Sequence, residues 1–409
     1  MTGNLIIQND IAAAAKVPSF NVNGVSCDVR CKDDDRLDLC LVHSISPCTA
    51  AGVFTKNDVQ AAPVLLSRKW LASGEAFHGF VCNSGNANAC TGDQGLIDAE
   101  NMALEAIRYT NSSPGSFLVC STGRIGELLP MDRIIPGIRN CTQNLGNLPE
   151  HGERTSRSIL TSDTCPKGCL ATWEMEGEEL SIGGFAKGAG MIEPNMATML
   201  AFLLTDVKIH QELLREVLSE AVNKSFNRIT IDGDMSTNDT VLMLANGASG
   251  KCISEKTPQD LQLFQEAVGR ICLDLAEKIV SDGERITKVV RVEVKSAPDD
   301  ETAEKVCRSI ANSLLVKTSW YGGDPNWGRI VHAAGYAQVG LEMDKVDLYY
   351  DDALVLLAGA PQTQNRSSWK TVVNKDRFTI QLNLNLGTGS CTVLSADLTE
   401  GYVDFNKSE

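Results

Sequence analysis

Residues 183–204 read GGFAKGAGMIEPNMATMLAFLL, a glycine-rich run that passes through Pro194-Asn195 into Met196-Ala197-Thr198 and a strongly apolar tail. Glycines up to Gly190 allow close approach of backbone, and Pro194 restricts the chain where the run turns. The stretch lacks the G-x-x-x-x-G-K-[ST] spacing of a phosphate loop, and no G-x-G-x-x-G follows a strand, so nucleotide binding is not indicated. Taken alone, it is a glycine-rich turn feeding a buried strand or helix.

Outward from this stretch, the two halves of the chain differ in texture. Before it, the apolar runs 39–42, 79–82 and 117–120 read as buried strands that each exit into a polar stretch. Two exits stand out: Asn83-Ser84-Gly85-Asn86-Ala87-Asn88 and Ser121-Thr122-Gly123, where small polar residues can aim backbone N–H groups at a ligand. After it, Leu213, Leu214, Val217, Leu218, Ala221 and Val222 follow helical spacing. Thr257 and Pro258 open a second helix with the stripe Leu261, Phe264, Val268, Ile271, Leu275 and Ile279. A third is expected over 302–315, with Ala303, Val306, Ile310 and Leu314 on one face, and 296–304 reads as a surface loop. Val290, Val292 and Val294 alternate, as do Phe378 through Leu386; Gly387-Thr388-Gly389 is expected to turn the latter strand into a hairpin with 391–394. Interleaved strands and helices predict a mixed α/β fold of layered sheets and helices.

Composition narrows the function classes. The net charge of −15, dispersed along 409 residues, argues against a nucleic-acid or anionic-membrane partner, both of which reward clustered Lys and Arg. The longest apolar stretch, 196–204, stops at Asp206, well short of the roughly 20 residues of a membrane helix. The first residues, MTGNLIIQND, carry no basic region followed by an apolar stretch, so a cytoplasmic location is expected. The 14 cysteines are scattered without a C-x-x-C and are expected to be reduced, buried small hydrophobic residues. The 5 histidines, at 43, 78, 151, 210 and 332, show no metal-ligand spacing, and no metal site is expected.

The stretch KGAGMIEPNMATMLAFLLTD at 187–206 closely resembles the self-cleavage segment of the ornithine acetyltransferase (ArgJ) family. The resemblance extends over nearly the whole chain through NSGNANACTG at 83–92, STGRIGELLPMDRI at 121–134 and TSDTCPK at 161–167. It continues through FNRITIDGDMSTNDT at 226–240, DGERITK at 282–288 and DPNWGRI at 324–330. It implies the family's αββα-like layering and cleavage between Ala197 and Thr198, giving an α chain of 1–197 and a β chain of 198–409 that stay together, as α2β2 by analogy.

The chemistry is sensible for those residues. A threonine hydroxyl can attack the carbonyl before it, converting amide to ester, and water then frees an α-amine. That amine, with an ordinary pKa of roughly 7.7–8.0, is a base of suitable strength beside the hydroxyl. By resemblance Thr198 is the nucleophile and contacts substrate, and Thr122 and Gly123 form the oxyanion pair. Lys187, Thr164 (with Thr161 a near alternative), Glu284 and Asn406 are substrate-binding residues. A lysine ammonium suits an α-carboxylate, and a glutamate suits a side-chain ammonium. Beyond Asn406 the family has a hydroxyl residue about five positions later; here the sequence closes Lys407-Ser408-Glu409, so that contact departs from the pattern. Asp324–Arg329 is family-like but is read as packing.

The activity implied is transfer of acetyl from N-acetylornithine to glutamate through an acetyl-Thr198 ester, within arginine biosynthesis. No metal or organic cofactor is implied, although some family members take acetyl-CoA as a co-substrate. The rivals are a self-cleaving N-terminal-nucleophile aminopeptidase or amidase, passing the acyl group to water, and a binding protein without activity.

Overall fold

The structure, a computed structural model, describes residues 5–74, 76–113, 115–193 and 199–407. Its described residues form two compact units that interleave along the chain. One takes in residues up to 188, 194–227 and 234–279; the other takes in 189–193, 228–233 and 280 onward. These are spatial units, whereas the expected fragments 1–197 and 198–409 are a covalent division, which is a separate property.

The first unit is organised by the strand Leu39–Phe54. Its beginning pairs with Phe20–Val25 and Phe77–Asn86, and its end, from Thr49, pairs with Thr240–Ala245. Between these the register shifts from His43 to Cys48, around Pro47, which cannot donate to a ladder. Among the described residues the nine-stranded sheet is thereby divided between two apolar half-sheets that share one core. Phe80 of one half stacks on Phe202 of the other at 4.2 Å, and Phe185 lies beside them. The outer face of the first half presents Leu41, Val81 and Val119 to the helices Gly92–Thr110 and Met131–Gln143, through Met102, Ala106, Ile134 and Ile138. The outer face of the other half meets the helix Pro258–Ser281: Phe264 lies 6.2 Å from Trp173, and Ile271 reaches Gly184. Strands covered on both faces explain the unbroken apolar runs at 79–82 and 117–120. The layering is helix, sheet, sheet, helix, as expected. The helix Gln211–Lys224 buries the six apolar residues named from its spacing.

The second unit corrects the sequence reading in three places. Its six-stranded sheet, counted among the described residues, places Val289–Ala297 between Arg377–Asn383 and Gly389–Ala396. The last two strands are therefore not a hairpin. The turn between them passes over the end of the central strand, where Leu386 and Gly387 donate to Ser296 O at 2.8 and 3.0 Å. The expected helix over 302–315 is two helices, Asp300–Ala311 and Leu314–Tyr321. Ser313 caps the second through Val316 N at 3.4 Å, and Leu314, expected on the apolar face, is 65% exposed. The acidic cluster at 299–301 is a helix start rather than a loop: Asp299 accepts from Thr302 N at 2.7 Å, and anionic residues favour the positive end of a helix. Trp327 is half-buried and packs on the core, in keeping with its reading as packing.

Candidate active site

The strands Phe77–Asn86 and Phe117–Arg124 run parallel, and their polar exits meet where Gly85 stands opposite Gly123. Gly123 has φ +134°, and a Cβ there would lie 2.3 Å from the Gly85 carbonyl carbon. Only glycine fits this turn. Beside it, the Thr122 side chain is buried and accepts a hydrogen bond from Lys187 Nζ at 3.2 Å. A hydroxyl has one proton and two lone pairs, so accepting from lysine leaves its O–H free to donate. This meeting of strand ends is non-local: the residues of the pair are far apart in sequence and are joined by the shared core.

Lys187 ends the strand Glu178–Lys187 and is 2% exposed. Burial pushes its pKa down, and the Asp163 carboxylate opposes that shift. Asp163 itself is fully buried at its side chain, accepting from Lys167 Nζ at 2.6 Å and from Gly188 N at 2.7 Å. Burial works against its charge, but the ammonium groups of Lys167 and Lys187 and these hydrogen bonds outweigh it and hold the carboxyl at about 2. Thr164 is exposed and immediately follows Asp163.

A carboxyl whose pKa is lower folded than unfolded stabilises the protein above its unfolded pKa. That contribution disappears as pH falls through the folded value. Asp163→Asn is expected to lose about 2–3 kcal/mol at neutral pH. In denaturant titrations the gap from wild type should close between the ordinary carboxylate range near 3.8 and about 2. A gap that stays constant over that range would rule out the charge as its source.

On the other side of Lys187, Leu200 is its antiparallel partner and also the parallel partner of Thr240. Ala197 and Thr198 lie outside the described residues, as does Pro194; the description resumes at Met199. The Met199 N–H donates to Asp239 Oδ1 at 3.0 Å, and Met199 O accepts from Thr240 N at 3.2 Å. Asn238 donates through Nδ2 to Ser121 O at 2.8 Å and Ala87 O at 2.6 Å, so it ties down the turn that carries Thr122 and Gly123. Asp163, Asn238 and Asp239 were not singled out from sequence. Their signal was present in the motifs at 161–167 and 226–240: acidic and amide residues set directly against apolar strands.

In the second unit, Glu284 and Asn406 are brought together. Asn406 Nδ2 donates to Glu284 Oε2 at 2.9 Å, and Glu284 N donates to Ala189 O at 2.9 Å. A Cβ on Gly190 would fall 2.3 Å from Glu284 Oε1, so this glycine makes room for the carboxylate. Asp232 gathers the same neighbourhood, accepting from Met191 N at 2.6 Å, Ile192 N at 2.7 Å and Tyr402 Oη at 3.1 Å. Tyr402 and Asn406 share the helix Glu400–Asn406, capped by Thr399. Ser408 lies outside the described residues.

The model of the ArgJ family matches residues 21–408. The arginine biosynthesis bifunctional protein ArgJ of Geobacter sulfurreducens is 42% identical over 391 residues, covering 95% of this chain and 98% of that protein. The protein of the same name from Symbiobacterium thermophilum is 41% identical over 399 residues, covering 97% and 98%. A crystal structure of arginine biosynthesis bifunctional protein argJ from Bacillus halodurans aligns at 34% identity and a TM-score of 0.45, over 49% of this chain and 100% of that one. With a family model spanning nearly its whole length and relatives at this identity, the chain belongs to the ArgJ family.

Proposed function

We propose that this chain cleaves itself between Ala197 and Thr198 and then moves acetyl from N-acetylornithine to glutamate through an ester on Thr198. In the first event the Thr198 hydroxyl adds to the Ala197 carbonyl, the peptide nitrogen leaves as the Thr198 α-amine, and water hydrolyses the ester. In the second, the hydroxyl adds to the acetyl carbonyl and the α-amine takes its proton. The Thr122 O–H and Gly123 N–H stabilise the oxyanion, and ornithine leaves with the proton. The glutamate amine then attacks the ester, restoring the hydroxyl.

The observation that carries this reading is the buried Lys187–Thr122 pair beside the glycine turn. It joins a fixed cation to a hydroxyl at the end of the strand that neighbours Leu200. Such prepaid placement of donors and charge is what acyl transfer needs. Lys187 is assigned the substrate α-carboxylate, and Thr164 is carried over from the family resemblance as a further substrate contact. Glu284, with Asn406, is assigned the side-chain ammonium that ornithine has and glutamate lacks. The word bifunctional in the relatives' names supports a second activity, for which acetyl-CoA with glutamate is the natural pairing. Assembly as α2β2 is carried over from the family resemblance, and light scattering of the processed protein reads it.

The test is direct. Purified protein is incubated with N-acetylornithine, with and without glutamate, and its fragments are sequenced from their N-termini. The expected result is a fragment beginning Thr-Met-Leu-Ala-Phe and release of ornithine that depends on glutamate after the first turnover. Acetate released equally fast in both arms would favour the amidase. An uncleaved chain without transfer would favour the binding protein. Glu284→Gln is expected to raise KM for N-acetylornithine about 10–100-fold, the value of a hydrogen bond to a charged group. The KM for glutamate should move much less; equal changes in both would remove Glu284 from ornithine recognition.

A further inference from the structure

The motif at 226–240 contains two adjacent buried residues that the proposed chemistry does not use. Asn238 is 6% exposed and Asp239 is fully buried. Asn238 places both amide protons on carbonyls of the oxyanion region: Ser121 O, immediately before Thr122, and Ala87 O on the neighbouring exit. Its own Oδ1 accepts from Thr237 Oγ1 at 2.6 Å, which fixes the amide orientation. Asp239 turns to the residue just before a different strand, accepting from Met199 N through Oδ1. Its Oδ2 is buried without a hydrogen-bond partner among the described residues. Thr240 follows as the cross-strand partner of Leu200, so the dipeptide stands at the head of a strand already registered on the one after Thr198.

We infer that Asn238 and Asp239 form a positioning clamp that holds the oxyanion turn and the backbone at Met199 in one fixed relation. Met199 is bonded directly to Thr198, so restraint of the Met199 backbone acts one covalent step from the nucleophile. The inference rests on the function proposed above. The two residues are adjacent in the chain and each is held in the interior by its own hydrogen bonds, so the backbone between them links the two anchors. Misplacement of reacting groups by about 1 Å is enough to lose about 100-fold in rate. Burial raises the Asp239 pKa well above the usual carboxylate range, with the Met199 amide and Lys187 opposing the shift. An acceptor of amide shape therefore suits the position, and asparagine is its conservative replacement.

Neither residue touches substrate in this scheme, so the test must separate positioning from folding. Wild type, Thr198→Ala, Asn238→Ala, Asp239→Asn and Asp239→Ala are purified as full chains. Each is scored for fraction cleaved, for kcat and KM per cleaved molecule, and for Tm. Asn238→Ala is expected to lower kcat about 10–100-fold with KM within about threefold, because it releases the turn without touching the substrate pocket, and to lower Tm by several degrees through the lost buried hydrogen bonds while remaining folded at the assay temperature. Asp239→Ala is expected to accumulate uncleaved chain, and Asp239→Asn, which keeps an acceptor for Met199 N, to restore most of the cleavage. The clamp is overturned if Asn238→Ala keeps kcat within threefold of wild type. It is equally overturned if Asp239→Asn cleaves no better than Asp239→Ala at equal Tm. Should Asp239→Ala be recovered unfolded, Asn238→Ala decides alone. Failure of the underlying function looks different: wild type itself would neither cleave nor transfer, or Thr198→Ala would do both.

Discussion

Thr198→Ala is expected to run as a single full-length chain on a denaturing gel and to have no measurable acetyl transfer. Two separate losses converge on this residue. In the proposed mechanism its hydroxyl is what attacks the Ala197 carbonyl, so without it the peptide bond before it is expected to survive. Without that scission the nitrogen at 198 remains an amide, which is not a base at neutral pH, and the acyl acceptor is missing as well. Removing a catalytic nucleophile that works as a unit with its base commonly costs on the order of 10⁴–10⁶-fold in kcat. Intact mass together with a glutamate-dependent ornithine assay reads both effects. Thr198→Ser is the informative companion, since it keeps the hydroxyl and the future amine. It is expected to cleave slowly and to retain partial transfer. Acetyl exchange in the alanine variant at more than about one percent of wild type would remove Thr198 from the mechanism.

The next largest effect is expected at Thr122. Its hydroxyl is buried, accepts from Lys187 Nζ and sits next to a glycine whose backbone conformation other residues rarely adopt. Thr122→Ala removes one donor from the proposed oxyanion pair and leaves the Lys187 ammonium one acceptor short in a buried setting. Loss of a single oxyanion donor typically lowers kcat about 100–1,000-fold, with little change in KM because the ground-state substrate does not use it. Thr122→Ser keeps the hydroxyl and is expected to stay within about tenfold of wild type. Steady-state kinetics of both variants, with Tm as the control for folding, decide the matter. A large rise in KM at constant kcat would instead place Thr122 in substrate binding.

Much of this protein could be read along the chain. Apolar runs and helical spacing located the strands around 79–82 and 117–120 and the helix over Gln211–Lys224, because their burial is continuous or periodic and so leaves a local trace. Strings such as 187–206 and 121–134 carried the family resemblance, and it was that resemblance that singled out Thr198, Thr122, Gly123 and Lys187; the letters alone read as a glycine-rich turn and a strand-end turn. Errors arose where a neighbour distant in sequence intervened. The central strand Val289–Ala297 enters between two segments that look like a hairpin, and Asn312-Ser313 interrupts a stripe that reads as one helix.

Only the tertiary structure decided that Lys187 reaches Thr122, that Asp163 carries its charge in the interior, and that Asn406 rests on Glu284. It alone showed Asn238 bonding to one strand and Asp239 to the residue just before another. Hydrogen bonds of this kind depend on where folded strands end in space, and two strand ends that meet need share no pattern in sequence. The chain by itself therefore determined which chemical groups are present and which segments bury them. In the first unit, packing of the two half-sheets through Phe80, Phe185 and Phe202 fixes where the strands end, and so which of its polar groups touch, because burying aromatic surface sets strand positions while leaving the polar contacts at their ends unwritten in the sequence.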